Sequence, residues 1–540
     1  MKKSLLKTCA ALMLLGIMPF NAACGKKAVD DENTLEIFVL DAGYGTAWAE
    51  QIAESFKNED WVKEKYPALK VEKPRTSDQK ALAQSYMSAP KTNNFDILFG
   101  QQLQSYFGTT EIVNITQSVY NAKVPGENVL FKDKMNSSVR ENFEYKDITG
   151  SGMDGYYAVP WQGGYAGILY NEDVLKANGV EVPRTTDEFI AACEKITANN
   201  KDKSDSDATK SYAIIQSSEA PYWDMYYFCI PWAQYDGVKG YENFYNGIYE
   251  DEDGAVYSNK IFQTKGRLRA LEFFEEVMDY DKGFISPRSF SDTFMIAQAA
   301  FLKGAAAFHV NGDYFTREMY DTYNRMPEAD RDTINIMRSP VLSSILEVLP
   351  DKSVENDEEL SALIKAIDEE NPAVEGDGYK VTQADYDRVK DARFTVSCGA
   401  TVQGIIPSYA KAKDVAIDFL RYMATDKALN IYIKATNGCA LDFDYDVKTQ
   451  DPELYNSLQP LNKTKIDYFS AGNAKVKLLK SKYAFPLYIY ANLTPFAETT
   501  YWTTLTAKGN TKTAQTYYEE TIKLWTDAKF KQALGLAGLQ

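Results

Sequence analysis

At 540 residues, 45% hydrophobic and 25% charged, the chain is long enough to bury a substantial core. Its formal net charge of −17 repels phosphate backbones and argues against a nucleic-acid partner. A single histidine excludes a histidine-rich zinc site, and neither a Gly-x-Ser-x-Gly nor a Walker loop occurs.

The N-terminus carries Lys2, Lys3 and Lys7, the apolar run Ala10–Met18, and then Asn21-Ala22-Ala23-Cys24-Gly25. This reads as a secretory signal over residues 1–23. Cys24 directly after Ala-Ala resembles a bacterial lipobox, which implies lipidation of Cys24 and a place on the extracytoplasmic face of the membrane. Residues 24–32 suit a tether, and no later run approaches 18 apolar residues, so no second span is expected. Cys193, Cys229, Cys398 and Cys439 could form two disulfides. Without Cys-x-x-Cys spacing or a dense framework, buried free thiols are the expectation.

Leu35–Leu40 reads as a strand, Asp41–Thr46 as the loop leaving it, and Ala47–Phe56 as a helix with Trp48, Ile52 and Phe56 four apart. Leu69–Lys73 and Phe95–Phe99 read as further strands, separated by a helix over Asp78–Met87. Strands alternating with helices imply an α/β fold with a largely parallel sheet, whose ligands sit at the carboxyl ends of the strands. Here those ends carry Asp41–Thr46 and Gly100-Gln101-Gln102.

Two short apolar runs follow, Tyr156–Val159 and Ala166–Tyr170, with a bend at Pro160-Trp161-Gln162-Gly163-Gly164. A short helix ends at Gly179, and Thr186 is read as the N-cap of the next. Tyr212–Ile215 is a strand ending at Pro221–Phe228, and Gln263–Tyr280 a long amphipathic helix. Ala297–Gly304 leads into the strand Ala305–Val310 and Asn311-Gly-Asp-Tyr314. The pattern reads as an acidic exposed helix over Asp357–Glu370, and Phe394–Ala400 and Ile405–Ser408 then lead to a helix over Ala410–Thr425. The tail Pro495–Trp502 precedes a last helix, Thr513–Trp525.

The crossover, the helix-Gly-strand-Asn-Gly order near Asn311, the Ile405-Ile-Pro turn, the Thr436-Asn-Gly pattern and the aromatic tail together resemble the extracellular solute-binding proteins of carbohydrate ABC transporters. The resemblance covers nearly the whole mature chain. It implies a two-lobed fold of the type II periplasmic-binding-protein kind, with a hinge between discontinuous lobes. Lobe one would comprise 33–160 plus 391–440, and lobe two 165–345 plus 445–540, with 346–390 an insertion of unknown role. It also implies a monomeric protein that delivers an oligosaccharide to ABC permease subunits, needing no cofactor.

Sugars present apolar C–H faces and rings of hydroxyls, which aromatic platforms, carboxylates and amides recognise. The chain holds 37 Tyr, 27 Phe and 7 Trp. Aromatic, amide and acidic groups fall together at Asp41 with Tyr44, Gln101 with Gln102, Trp161 with Gln162, Tyr222-Trp223-Asp224, Asp313 with Tyr314, and Trp502. Trp161 and Trp223 are read as stacking platforms whose loss weakens ligand binding but spares folding, and Asp224 as an acceptor of sugar hydroxyls. His309 lies in an apolar strand and reads as an interior histidine, so no catalytic set stands out. Asp442, Asp444, Asp446 and Glu453 partly match a calcium loop, but Val447 stands where its sharp turn needs Gly, so a solvated acidic loop is the expectation. The rival readings are a secreted glycoside hydrolase and a binder of another solute, such as a peptide.

Overall fold

The computed structural model describes residues 32–146, 152–163, 165–219, 225–371, 380–397, 402–469, 476–496 and 507–539. Two mixed sheets organise it. The first has the strand order Arg75–Ser77, Ile37–Leu40, Ile97–Gly100, Val402–Ile405, Val159–Gln162. Its first three strands are parallel, and Val402–Ile405 runs antiparallel to both neighbours. Ile37–Leu40 and Ile97–Gly100 are buried throughout, as expected of parallel strands covered on both faces. The helix Ala47–Asn58 lays Trp48, Ile52 and Phe56 on that core. A side chain at Gly404 would meet the Phe99 ring at 2.6 Å, so only glycine lets these strands pair beneath it.

The second sheet has the order Tyr212–Ile214, Ala306–Gly312, Ala166–Asn171, Ile334–Met337. Its separate core includes Phe189, Tyr227, Phe228, Trp232, Phe274 and Phe308. Chain from the 441–478 region returns to the first core through Phe443, Tyr455, Ile466 and Phe469.

The crossover differs in detail from its expected form. Pro160 lies inside the strand Val159–Gln162, and the turn comes after Gln162. That strand is at the sheet edge, with Val402–Ile405 on one side only, where a residue without a backbone donor is tolerated. Likewise the sheet strand is Arg75–Ser77, not Leu69–Lys73; Lys70–Val71 pairs instead with Thr34–Leu35. A half-exposed edge strand carries no apolar run to mark it. The helix Thr186–Asn200 is capped by Thr185 rather than Thr186, with Glu188 completing a capping box. Thr186 Oγ1 instead donates to Ser343 Oγ.

The acidic helix Asp357–Asp368 is not an exposed one. Leu360, Leu363, Ile364 and Ile367 form an apolar stripe against Val389 and Ala392 of the helix Gln383–Arg393, and against Val341, Ile345 and Leu349. This satellite core is clamped to the second unit by Gln234, whose Nε2 donates to Ala392 O and whose Oε1 accepts from Leu342 N.

Among the described residues no helix is long and apolar enough to cross a membrane. Cys193 and Cys439 are buried free thiols; Cys398 and Cys24 lie outside the described residues.

Candidate functional site

The loop after Ile37–Leu40, at a carboxyl end of the first sheet, lies against the second unit. Asp41 Oδ1 accepts from the backbone N–H groups of Gly43 and Gly45, holding residues 41–45 in a tight turn. Gly43 has φ +91°, and a side chain there would lie 2.9 Å from Glu318 Oε1 and 3.1 Å from Tyr314 Cβ. Gly45 faces Arg317 in the same way. The loop therefore sits directly on Tyr314–Glu318 of the second unit, with the Tyr44 and Tyr314 rings edge to face at 6.0 Å. Burial raises the Glu318 pKa and the facing Asp41 adds to it, while a hydrogen bond from Gln298 works the other way.

Behind this contact lies a buried polar cluster. Trp161 is fully buried, packed on Trp48 at 5.5 Å, Tyr432 at 5.2 Å and Phe443 at 6.1 Å between ring centroids. Gln162 follows it in the strand, and Gln403 lies on the neighbouring strand, paired with Pro160. Asp442 closes the cluster, its Oδ1 2.5 Å from where a Gly163 side chain would begin. The Tyr44 and Tyr432 hydroxyls, Trp161 Nε1, both amide atoms of Gln162 and Gln403, and both carboxylate oxygens of Asp442 are buried with no hydrogen-bond partner. Gln162 approaches the Tyr432 hydroxyl, and Tyr165 approaches Asp442, without reaching hydrogen-bond geometry. Unpaired buried polar atoms each cost free energy, so a concentration of them in one place is unusual for a structural core. Burial raises the Asp442 pKa to about 7, with nearby Asp313 adding to the shift and the Tyr165 hydroxyl opposing it.

Asp313 belongs to the same seam but is fully occupied. Its Oδ1 takes an ion pair from Lys465 at 2.6 Å, and its Oδ2 accepts from Ala440 N at 3.0 Å. Both charges are buried, so Asp313, a candidate ligand contact from the sequence, is tied into the protein through both carboxylate oxygens. Tyr165 stacks on Phe469 at 4.4 Å and 4° beside it.

The remaining candidates separate. Gln101 is buried at the end of its strand, whereas Gln102 is exposed with φ +57°. Tyr222, Trp223, Asp224 and Trp502 lie outside the described residues. The acids of the calcium-like pattern part company. Asp442 enters the cluster, Asp446 caps Val447–Gln450 by accepting from Thr449 N, and Glu453 lies in the next helix, Pro452–Ser457. No group of three His, Cys, Asp or Glu among the described residues is placed to hold a metal.

Sequence reasoning had no role for Gln403 or Tyr432 and assigned Asp442 to another pattern. A signal for Gln403 existed: it is the one polar side chain in an otherwise buried Val-Gln-Gly-Ile strand. His309 donates from Nδ1 to Ile215 O and accepts at Nε2 from Asn311, the roles its neutral ring requires. Burial lowers its pKa to about 4. A separate pocket of about 80 Å³ lies between Phe315, Met319, Arg331 and Leu461. It lacks the converging unpaired groups of the seam, which is the stronger candidate on chemistry.

This architecture is that of the two-lobed α/β solute-binding proteins. Residues 112–335 match the model of the bacterial extracellular solute-binding protein family. Three solved structures share the fold. One comes from work on xylan utilization by the thermophilic bacterium Caldanaerobius polysaccharolyticus, at 14% identity and TM-score 0.52, covering 93% of this chain and 98% of that one. RafE in complex with raffinose follows at 13% identity and TM-score 0.52, covering 93% and 99%. A chitin oligosaccharide binding protein matches at 13% identity and TM-score 0.52, covering 93% and 100%. No curated protein matches by sequence.

Proposed function

We propose that the protein is a lipid-anchored substrate-binding component of an ABC importer that encloses a carbohydrate, an oligosaccharide by preference, between its two lobes and hands it to a membrane permease. The observation that carries this reading is the set of buried, unpaired hydroxyl, amide, indole and carboxylate groups at the seam. Donors and acceptors of these kinds match the alternating donor and acceptor character of sugar hydroxyls. Trp48, Trp161 and Tyr432 supply the adjoining aromatic wall. The three structural neighbours, named for raffinose, xylan and chitin oligosaccharide, support carbohydrate as the solute class.

Binding would favour the closed form, because a ligand seated at the seam touches groups from both lobes only when they meet. Asp41, Tyr44, Gln101, Trp161 and Tyr314 remain proposed contacts from the expected set, joined by Gln162, Gln403, Tyr432 and Asp442. Thermal denaturation against a panel of neutral oligosaccharides tests the reading. At least one should raise the melting temperature in a concentration-dependent way. A flat response across raffinose, xylo-, malto- and chito-oligosaccharides would contradict it. Release of cleavage products during incubation would instead favour the hydrolase reading.

A further inference from the structure

We infer that Asp442 is the specificity-determining residue of the seam, selecting ligands that present two hydrogen-bond donors to a carboxylate and rejecting ligands that bring an anion there. The inference rests on the carbohydrate reading and deepens it. Asp442 is 1% exposed, and among the described residues neither of its oxygens has a donor in full hydrogen-bond geometry, the Tyr165 hydroxyl only approaching it. An ionised carboxylate only accepts hydrogen bonds, so the missing partners must be donors. A neutral sugar supplies them through adjacent hydroxyls and an amino sugar through an ammonium group.

The surroundings reinforce the selection. The groups facing Asp442 are the hydroxyls of Tyr165, Tyr432 and Tyr120 and the carboxylate of Asp313. The one cation at that carboxylate, Lys465, is committed to Asp313. Glu318 and Asp41 face each other at the rim. An incoming carboxylate or phosphate would therefore meet like charge in a desolvated place; Arg317, a cation at the rim, lies exposed against Gly45 and is not among the groups that face Asp442. Gly163 fits the same picture: any side chain there would fall on Asp442 Oδ1 and the Tyr165 ring, closing the approach to the carboxylate.

Donation from a ligand favours the ionised carboxylate. Burial holds this group near neutrality in the ligand-free protein, so binding near pH 7 should release part of a proton.

Calorimetry on the mature protein tests this, using the neutral oligosaccharide that gives the largest thermal shift, an oligogalacturonate of equal length, and the isosteric variant Asp442→Asn. Wild type should bind the neutral sugar at least about tenfold more tightly than the uronate. Its binding heat at pH 7 should differ between phosphate and Tris buffers, reporting proton release. Asp442→Asn should bind the neutral sugar about tenfold or more weakly, abolish the buffer dependence, and narrow the gap to the uronate. Equal affinities of wild type and variant with the same buffer dependence would overturn the inference while leaving carbohydrate binding intact. Uronate binding as tight as the neutral sugar would overturn it as well, with no variant needed. If no sugar binds wild type, the carbohydrate reading itself fails and takes this inference with it.

Discussion

Trp161 illustrates how burial revises a reading made from sequence position. Its position at the bend suggested a platform that could be lost without harm to folding. The ring is instead fully buried against Trp48, Tyr432 and Phe443, so it is a core residue, and only its unpaired Nε1 supports a place in the proposed site. Trp161→Ala should cost about 3–5 kcal/mol of stability, seen as a large fall in melting temperature without ligand. Trp161→Phe keeps most of the packing but loses the unpaired Nε1, so it should fold well and bind sugar more weakly. A near-native melting temperature for the alanine variant would contradict the observed packing.

Asp442 makes a second prediction at this scale. Its pKa is raised in the folded protein, so the native state holds a proton that the unfolded chain has already lost between about pH 4 and 7. By linkage, its contribution to ligand-free stability is present at low pH and falls as pH rises through that window. Asp442→Asn cannot ionise and should gain stability relative to wild type between pH 5 and 8, measured by denaturant unfolding. A difference independent of pH would contradict it.

At the scale of elements, the contact between loop 41–45 and Tyr314–Glu318 depends on Gly43. Its left-handed backbone and the 2.9 Å approach to Glu318 leave no room for a side chain. Gly43→Val should hinder closure and weaken sugar binding about tenfold or more, read by calorimetry, with a much smaller effect on the folded fraction. The satellite helices make a contrasting prediction. Leu363→Asp should loosen Asp357–Asp368 and Gln383–Arg393, giving faster amide exchange there, while sugar affinity per folded molecule stays unchanged.

These elements also mark what the sequence could convey. Continuous apolar runs such as Ile37–Leu40 and Ile97–Gly100 declare buried strands, and the stripe Trp48, Ile52, Phe56 declares a helix. Arg75–Ser77 carried no such mark, because its place in the sheet is secured by backbone pairing at an edge. The site was legible only in part for a related reason. Loop residues at strand ends, such as Tyr44, can be located from topology. Gln403, Tyr432 and Asp442 come from distant stretches, and only tertiary contact shows that their polar atoms converge.

For the whole molecule, two sheets have separate cores, and the unpaired polar groups gather on the first, close to where Asp313 and Tyr314 of the second unit reach it. Under the proposed function, the lobes would part and close on a ligand there. Cys24→Ala should release it from membranes into the soluble fraction, and retention after a salt wash would contradict lipid anchoring. Small-angle scattering should give a smaller radius of gyration with saturating oligosaccharide than without it. The most direct test of the central claim is a crystal structure of the mature protein with the oligosaccharide that stabilises it most. The account predicts a sugar ring enclosed between the lobes, within hydrogen-bond distance of Asp442, Gln162 and Gln403 and against the Trp161 wall. A sugar bound elsewhere, on the outer surface or in the pocket beside Phe315, with the seam closed and unoccupied, would contradict it.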